Sequence, residues 1–220
     1  MNKDNPLRQI NFSQLDGIFG AAREGGWVGF AWHDEFARGP EKNIRTWGQL
    51  GLTGEWADKP IHVHWLNLRY HMSETISNRL LKGSDKWNEN ARLYANEPLA
   101  NGDNYLASRR CMDEVAKDPY AITISTIAWL TPQIKCLAVS EKDGGPYVPL
   151  TIETCQDGSY PLADQSYLYL NRKPGTPVDP KLKEFLRYVL SREGQAAIMH
   201  DGKFLPLPAE VVLAQLKKLE

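Results

Sequence analysis

The chain has 220 residues, of which 26 are basic and 27 acidic, and its formal net charge at pH 7 is −1. This balance, with neither a basic stripe nor an acidic tail, argues against a nucleic-acid partner. A hydrophobic fraction of 42% with seven tryptophans excludes a disordered chain. No apolar run approaches the roughly 18 residues of a membrane span, so membrane insertion is not expected.

The cysteines and the first residues bear on the compartment. Cys111, Cys136 and Cys155 are odd in number and widely spaced, which fits neither a disulfide framework nor a zinc-ligand spacing, and we interpret them as small buried residues. The opening MNKDNPLRQINF lacks the apolar core of a signal peptide. We therefore expect either a cytoplasmic protein or a chain that starts after its natural beginning.

The first sixty residues predict one helix followed by loops. FSQLDGIFG (12–20) has helical spacing of its apolar residues, with Ser13 as candidate N-cap and Gly20 as stop. Residues 21–60 are rich in Gly and Trp and weakly periodic, which predicts loops and short turns, including a helical turn at 46–52.

A strand and a helix follow. KPIHVHWL (59–66) predicts a strand in which Ile61 and Val63 face one side and His62 and His64 face the other. SETISNRLLKG (73–83) has helical periodicity and ends at a glycine.

The second half predicts further helices and strands in alternation. Helical patterns cover 108–119 and 179–202, the latter as one long helix or two short ones, and a short helix closes the chain. Strand patterns cover 120–130, 134–140 and the alternating stretch 167–170. Strands that alternate with helices predict an α/β fold, a three-layer αβα sandwich with a mixed or mostly parallel sheet.

Several segments, in this order, resemble phosphate-type solute-binding proteins of ABC transporters, which have the periplasmic-binding-protein type II fold. The segments that carry the resemblance are KDNPLRQINFSQLDGIFG, IRTWGQLGLTGEWADKPIHVH, DPYAITISTIAW, YPLADQSYLYLN and EFLRYVLSREGQAAI followed by GKFLPLP. The resemblance implies a two-lobed clamp that binds its solute at helix N-termini, without catalysis, in the periplasm or outside the cell.

The resemblance also implies a domain organisation. Residues 1–158 correspond to the second lobe, and residues 159–220 correspond to the segment that returns to the first lobe. The opening part of the first lobe has no counterpart here. An unpaired strand edge at 167–170 would then invite another copy of the chain, so we expect a repacked single domain or a homodimer.

The candidate site lies where the strand 59–66 meets the following helix. Here the family carries a Gly-containing loop and Ser-Gly-Thr, whose amides and hydroxyls hold phosphate oxygens. This chain has larger groups there, and Thr123 and Thr126 stand where the second loop tends to have Gly. The resemblance implies a small anionic or organic ligand, no cofactor and no metal. The candidate ligand-binding residues are His64, Trp65, Asn67, Arg69, His71, Ser73, Ser125 and Thr126.

Two other chemistries remain open from the sequence, either in a natural branch with a different ligand or in an engineered pocket. His62, His64 and His71 have a spacing that would suit a three-histidine zinc site. Alternatively, Ser125 or Cys136 could pair with His64 or His71 as nucleophile and base in a designed ester hydrolase.

Overall fold

The computed structural model describes residues 1–219 and divides into two compact units, Met1–Leu150 and Thr151–Glu220. Both strands and helices are present, and the predicted α/β class is confirmed. The lobe boundary expected near residue 158 stays a prediction.

The first unit contains nine short strands and three helices among the described residues. In chain order they are β1 (Gln9–Asn11), α1 (Phe12–Phe19), β2 (Gly26–Val28), β3 (Ala31–His33), β4 (His62–Leu66), α2 (His71–Leu80), β5 (Arg92–Tyr94), β6 (Glu97–Pro98), β7 (Asn104–Tyr105), α3 (Ala107–Lys117), β8 (Ala121–Ile122) and β9 (Ala138–Ser140).

The second unit is helical in the part of the chain that the structure describes. Its helices are α4 (Ile152–Gln156), α5 (Pro180–Val189), α6 (Arg192–Asp201) and α7 (Ala209–Lys217). The pattern at 179–202 is thus two helices, because the Ser191 hydroxyl accepts the amide of Gly194 and begins a new helix. No helix within residues 1–219 is long and apolar enough to cross a membrane.

The central sheet of the first unit is parallel and runs in the order β5-β4-β8. Helix α3 covers one face, where Cys111, Met112 and Val115 pack against Leu66 and Tyr94. Because β4 lies between two parallel neighbours, both of its faces are buried from Val63 onward. The carboxyl ends of the three strands meet at one edge of the sheet, and α2 begins four residues after β4 ends.

The helix predicted at 12–20 is confirmed, but its predicted cap is wrong. Asn11, not Ser13, is the N-cap: its side chain accepts the amide of Gln14 at 2.8 Å, and the Gln14 side chain accepts the amide of Asn11 at 3.0 Å. This reciprocal capping box satisfies two amides at once, which a single hydroxyl at Ser13 would not do. Gly20 ends the helix as predicted.

The prediction of a strand at 120–130 is mostly wrong. Only Ala121 and Ile122 pair with β4, after which the Thr123 hydroxyl lies 3.4 Å from the thiol of Cys111 and the chain leaves the sheet. A 3-10 turn then forms at Ile127–Trp129. The β-branched residues here therefore pack beside α3 instead of forming a long ladder.

Two further strand patterns are shorter than predicted or absent. The pattern at 134–140 yields only Ala138–Ser140, which pairs in parallel with Gln9–Asn11. Residues 167–170 have no regular secondary structure, and Tyr169 is 88% exposed, so their alternation does not mark a buried face. The homodimer expected from that edge stays a prediction.

The prediction that all three cysteines are buried is wrong for two of them. Cys111 lies in the core under α3, Cys155 is half-buried and Cys136 is exposed. None of the three forms a disulfide among the described residues, in agreement with a spacing that fits no disulfide framework.

Arginines hold the loop segment 21–43 to helix α1. Both terminal nitrogens of Arg23 donate to the carboxylate of Asp16, at 2.6 and 2.7 Å, and the Arg23 Nε donates to the carbonyl of Phe36. Arg23 and Arg38 also exchange backbone hydrogen bonds of 2.8 and 2.9 Å. Asp16 is buried, so this bidentate pair is shielded from water.

Asp16→Asn should lower the free energy of unfolding by about 3–5 kcal/mol, because it leaves buried guanidinium groups without their carboxylate. Chemical denaturation of the variant against the wild type measures this. Asp143→Asn, an exposed change of the same kind, is the matched control and should change stability by less than about 0.5 kcal/mol. Equal stability of the two variants would contradict a structural role for Asp16.

Candidate functional site

The turn between β4 and α2 is built on backbone hydrogen bonds at the carboxyl end of the sheet. The amide of Asn67 donates to the carbonyl of Tyr94 at 2.8 Å, which extends the pairing with β5 one residue past the strand. The Asn67 side chain accepts the amide of Arg69 at 3.0 Å, and its carbonyl accepts the amide of Tyr70 at 3.0 Å. Asn67 therefore determines the path of the chain from strand to helix.

Trp65 lies beneath this turn in the core. Its side chain is 0% exposed, and its ring packs against Phe19 at 5.6 Å and Trp87 at 5.2 Å between centroids. Its Nε1 donates to the Ser73 hydroxyl at 3.0 Å, and that hydroxyl donates to the carbonyl of Asn67 at 3.1 Å. The indole is thus buried beneath the turn and offers no surface to a solute.

Ser73 is buried, and its hydroxyl is engaged by the protein both as donor and as acceptor. It is 1% exposed, it accepts from Trp65 and it donates to Asn67. Of the eight candidate residues, Trp65 and Ser73 are therefore the two that position the turn without offering surface to a solute.

The first turn of α2 presents amides and a cation together. Helix α2 begins at His71 after Tyr70, which provides no side-chain cap. Within residues 1–219 the amides of His71 and Met72 have no hydrogen-bond partner, as is usual for the first turn of a helix. Arg69 is exposed just before them, and the positive end of the helix dipole adds to its charge. This arrangement suits an anion.

Two exposed groups modify the charge of this turn. His71 is exposed, and its Nδ1 lies 3.9 Å from a carboxylate oxygen of Glu74. The Glu74 carboxylate opposes an anion, whereas a protonated His71 would attract one. The turn therefore favours anions mainly through its backbone amides and Arg69.

His64 is placed away from the turn, under helix α3. It is 4% exposed, its Nδ1 lies 2.8 Å from the Tyr94 hydroxyl and its Nε2 lies 3.7 Å from an oxygen of Asp118. Burial lowers the pKa of His64, and the negative charge of Asp118 opposes this shift. His62 lies on the same face, as predicted, and its Nδ1 lies 2.7 Å from the same carboxylate.

Ser125 and Thr126 follow β8, the strand next to β4. Ser125 is half-buried, and Thr126 is exposed at the start of the 3-10 turn at Ile127–Trp129. No hydrogen bond in the described part of the chain joins either residue to the stretch 67–73. They follow a strand that ends at the same carboxyl edge of the sheet as the turn.

Neither alternative chemistry is assembled. Among residues 1–219 there is no group of three or more His, Cys, Asp and Glu side chains that could hold a metal ion, because His71 is on the exposed turn while His62 and His64 share Asp118. The Nδ1 of His64 is occupied by Tyr94, and no hydrogen bond among the described residues joins Ser125 or Cys136 to His64 or His71.

Sequence reasoning missed strand β5, which supplies Tyr94, and the partnership of His64 with Asp118. The sequence shows no strand pattern within residues 84–104, whereas Arg92–Tyr94 pairs with β4. The only local signal is the three-residue stretch RLY, which is too short to show a period.

In α/β folds with a parallel sheet, small ligands commonly bind at the carboxyl ends of the strands. A family model described as a PBP superfamily domain matches residues 1–193, and the chain belongs to that superfamily. The resemblance to phosphate-type solute-binding proteins is thereby confirmed.

Individual proteins resemble the chain along its length. It is 30% identical over 219 residues to the phosphate-binding protein PstS of Pseudomonas aeruginosa, covering all of this chain and 60% of that protein. The chain thus spans three-fifths of the length of the curated relatives it matches.

Solved structures show the same fold. A possible phosphate binding protein from Planctomyces limnophilus has a TM-score of 0.60 at 14% identity, over 100% of this chain and 66% of the other. A putative phosphate ABC transporter substrate-binding protein with bound phosphate, from Clostridium perfringens, has a TM-score of 0.61 at 16% identity, over 94% and 67%.

Ser73→Ala should lower the free energy of unfolding by about 1–3 kcal/mol, because it leaves the buried indole N–H of Trp65 without an acceptor. Ser108→Ala, in the first turn of α3, makes the same chemical change at a half-exposed position and should have little effect. Denaturant titration of both variants measures the difference, and equal values would contradict the proposed role of the hydroxyl.

The pH dependence of stability should report the buried state of His64. Because the folded-state pKa is lowered, the unfolded chain binds the proton more readily, and the stability from neutral His64 is lost as pH falls below about 6.5. The stability difference between wild type and His64→Gln should therefore shrink between pH 7.5 and pH 5.5. The difference for His200→Gln, at an exposed position, should stay constant.

Proposed function

We propose that this chain binds a small phosphate-like anion at the turn between β4 and α2, as part of a solute-binding protein of an ABC transporter. Membership of the PBP superfamily supports this proposal, and so does the likeness to a phosphate-binding protein over the whole chain. The same likeness supports a periplasmic or extracellular location. The role is capture and delivery of the solute, without catalysis.

The observation that carries the proposal is the pair of unpartnered amides at His71 and Met72 beside the exposed Arg69. Backbone N–H groups at a helix start donate directly to anion oxygens, and the helix dipole favours the negative charge. Arg69 adds a charge-assisted hydrogen bond. Trp65 and Ser73 hold this arrangement from beneath.

The side chains of Asn67, His71, Ser125 and Thr126 complete the proposed site. Strands β4 and β8 are parallel neighbours, so the residues that follow each of them lie along one edge of the sheet. Asn67 supports the turn, while the hydroxyls of Ser125 and Thr126 are suited to donate to a solute that reaches across that edge. His64 is too buried to join them and serves the core through Tyr94.

The site contacts the anion from one lobe, and Glu74 lies close to it, so the affinity should be weak, with a Kd of about 0.1–1 mM. Isothermal titration calorimetry with inorganic phosphate at constant ionic strength measures it. Arg69→Ala should raise the Kd about five- to tenfold through the loss of one charged donor.

Arg8→Ala is the matched control, because Arg8 is exposed in the same unit and far along the chain from the turn. It removes the same charge and should leave the Kd unchanged. Equal weakening by both substitutions would point to a general charge effect, and no heat of binding in any of the proteins would contradict the proposal.

A further inference from the structure

The segment 21–43 lies between the first two stretches of sequence that carry the resemblance, and it borders an open cavity of about 1020 Å³ in the first unit. Its charged lining is mostly basic. The cations are Arg23, Arg38, Lys42 and Lys86, and the carboxylates are Glu24 and Glu41.

Arg38 is the group in this cavity wall whose hydrogen bonding is incomplete. It is 7% exposed, and its Nη2 donates to the carbonyl of Ala21 at 2.8 Å. Its Nε and Nη1 have no hydrogen-bond partner among the described residues. Burying charged donors without an acceptor is costly, so the position favours any acceptor that can reach it.

Asp16 cannot supply that acceptor fully. Both of its oxygens accept the short hydrogen bonds from Arg23, and the Nε of Arg38 lies 3.5 Å from the nearer oxygen. One buried carboxylate therefore serves two buried guanidinium groups, which leaves an excess positive charge. Burial lowers the pKa of Arg38, while the charges of Asp16 and Glu41 oppose this shift and those of Arg23 and Arg45 add to it.

The surroundings of Arg38 are suited to a ligand with negatively charged oxygens. Lys42 and Lys86 are exposed and make no side-chain hydrogen bond or ion pair among the residues described, so both are available at the cavity mouth. Trp32 forms a flat wall, and its Nε1 is held by Asp34 at 2.6 Å.

We propose that the cavity bordered by Arg23 and Arg38 binds a second small oxyanion, a carboxylate or a phosphate-type anion, separate from the turn between β4 and α2. The anion offsets the positive charge of Arg38, whose Nε and Nη1 are buried in the cavity wall. Lys42 and Lys86 supply further positive charge at the entrance. The residues of this site follow α1 and α2, whereas the first proposed site lies at the start of α2 and after β8.

The test is a ¹H–¹⁵N NMR titration of the whole chain with inorganic phosphate and, separately, with citrate, against sodium chloride at matched ionic strength. The amides of Gly39 and Ser84 report on the cavity, and those of His71 and Met72 report on the turn. Saturable shifts at Gly39 and Ser84 with either anion are expected. The two anions distinguish a phosphate-type ligand from a carboxylate.

Three variants assign the effect to the named residues. Lys42→Ala with Lys86→Ala should raise the apparent Kd at Gly39 and Ser84 by about fivefold or more. Lys181→Ala with Lys217→Ala removes the same charge from exposed positions in the second unit. This control should leave the apparent Kd at Gly39 and Ser84 unchanged. Arg38→Met should fold, with a methionine in place of an incompletely paired cation, and should abolish these shifts.

The proposal is overturned if neither anion produces saturable shifts at Gly39 and Ser84. It is also overturned if both lysine double variants weaken those shifts equally. Because His71 and Met72 are read in the same spectra, failure of the second site is distinguishable from failure of the first.

Discussion

The burial of Trp65 is the constraint on which the rest of the first unit depends. This one side chain contacts α1 through Phe19, the segment after α2 through Trp87, and the start of α2 through Ser73. The Ser73 hydroxyl then reaches back to Asn67, so strand, turn and helix are joined in a closed set of hydrogen bonds. In the sequence, the size of Trp65 argues against ligand binding at this turn. In the structure, the same side chain stabilises the candidate ligand site.

The proposed function depends on the fixed position of this turn. Backbone amides bind an anion well only when they are already held in position, because ordering a loose turn would consume the binding energy. Here Asn67 and Ser73 hold the turn, and the amides of His71 and Met72 remain free to donate. Arg69 favours an anion at this position and Glu74 disfavours it, which limits the affinity of the site. The buried arginines near Asp16 have a different charge balance, since there two guanidinium groups lie beside one carboxylate.

The sequence predicted the elements whose signals are local and missed the contacts that join distant residues. The helix at 12–20 and the strand at 59–66 were predictable because capping, periodicity and turn residues act within a few positions. The partners of His64 were not, because Tyr94 and Asp118 are 30 and 54 positions away along the chain. The same holds for Trp65, whose orientation is decided by Phe19 and Trp87. The pattern at 120–130 predicted a longer strand than the structure contains, because β-branched residues also suit an irregular segment that packs beside a helix.

Anomalous diffraction from crystals grown with arsenate, a phosphate analogue whose heavier atom can be located directly, tests the central claim most directly. The account predicts an arsenic peak within hydrogen-bonding reach of the amides of His71 and Met72 and of the Arg69 guanidinium. A map with no peak at the start of α2, from crystals in which this turn is free of neighbouring molecules, would contradict it.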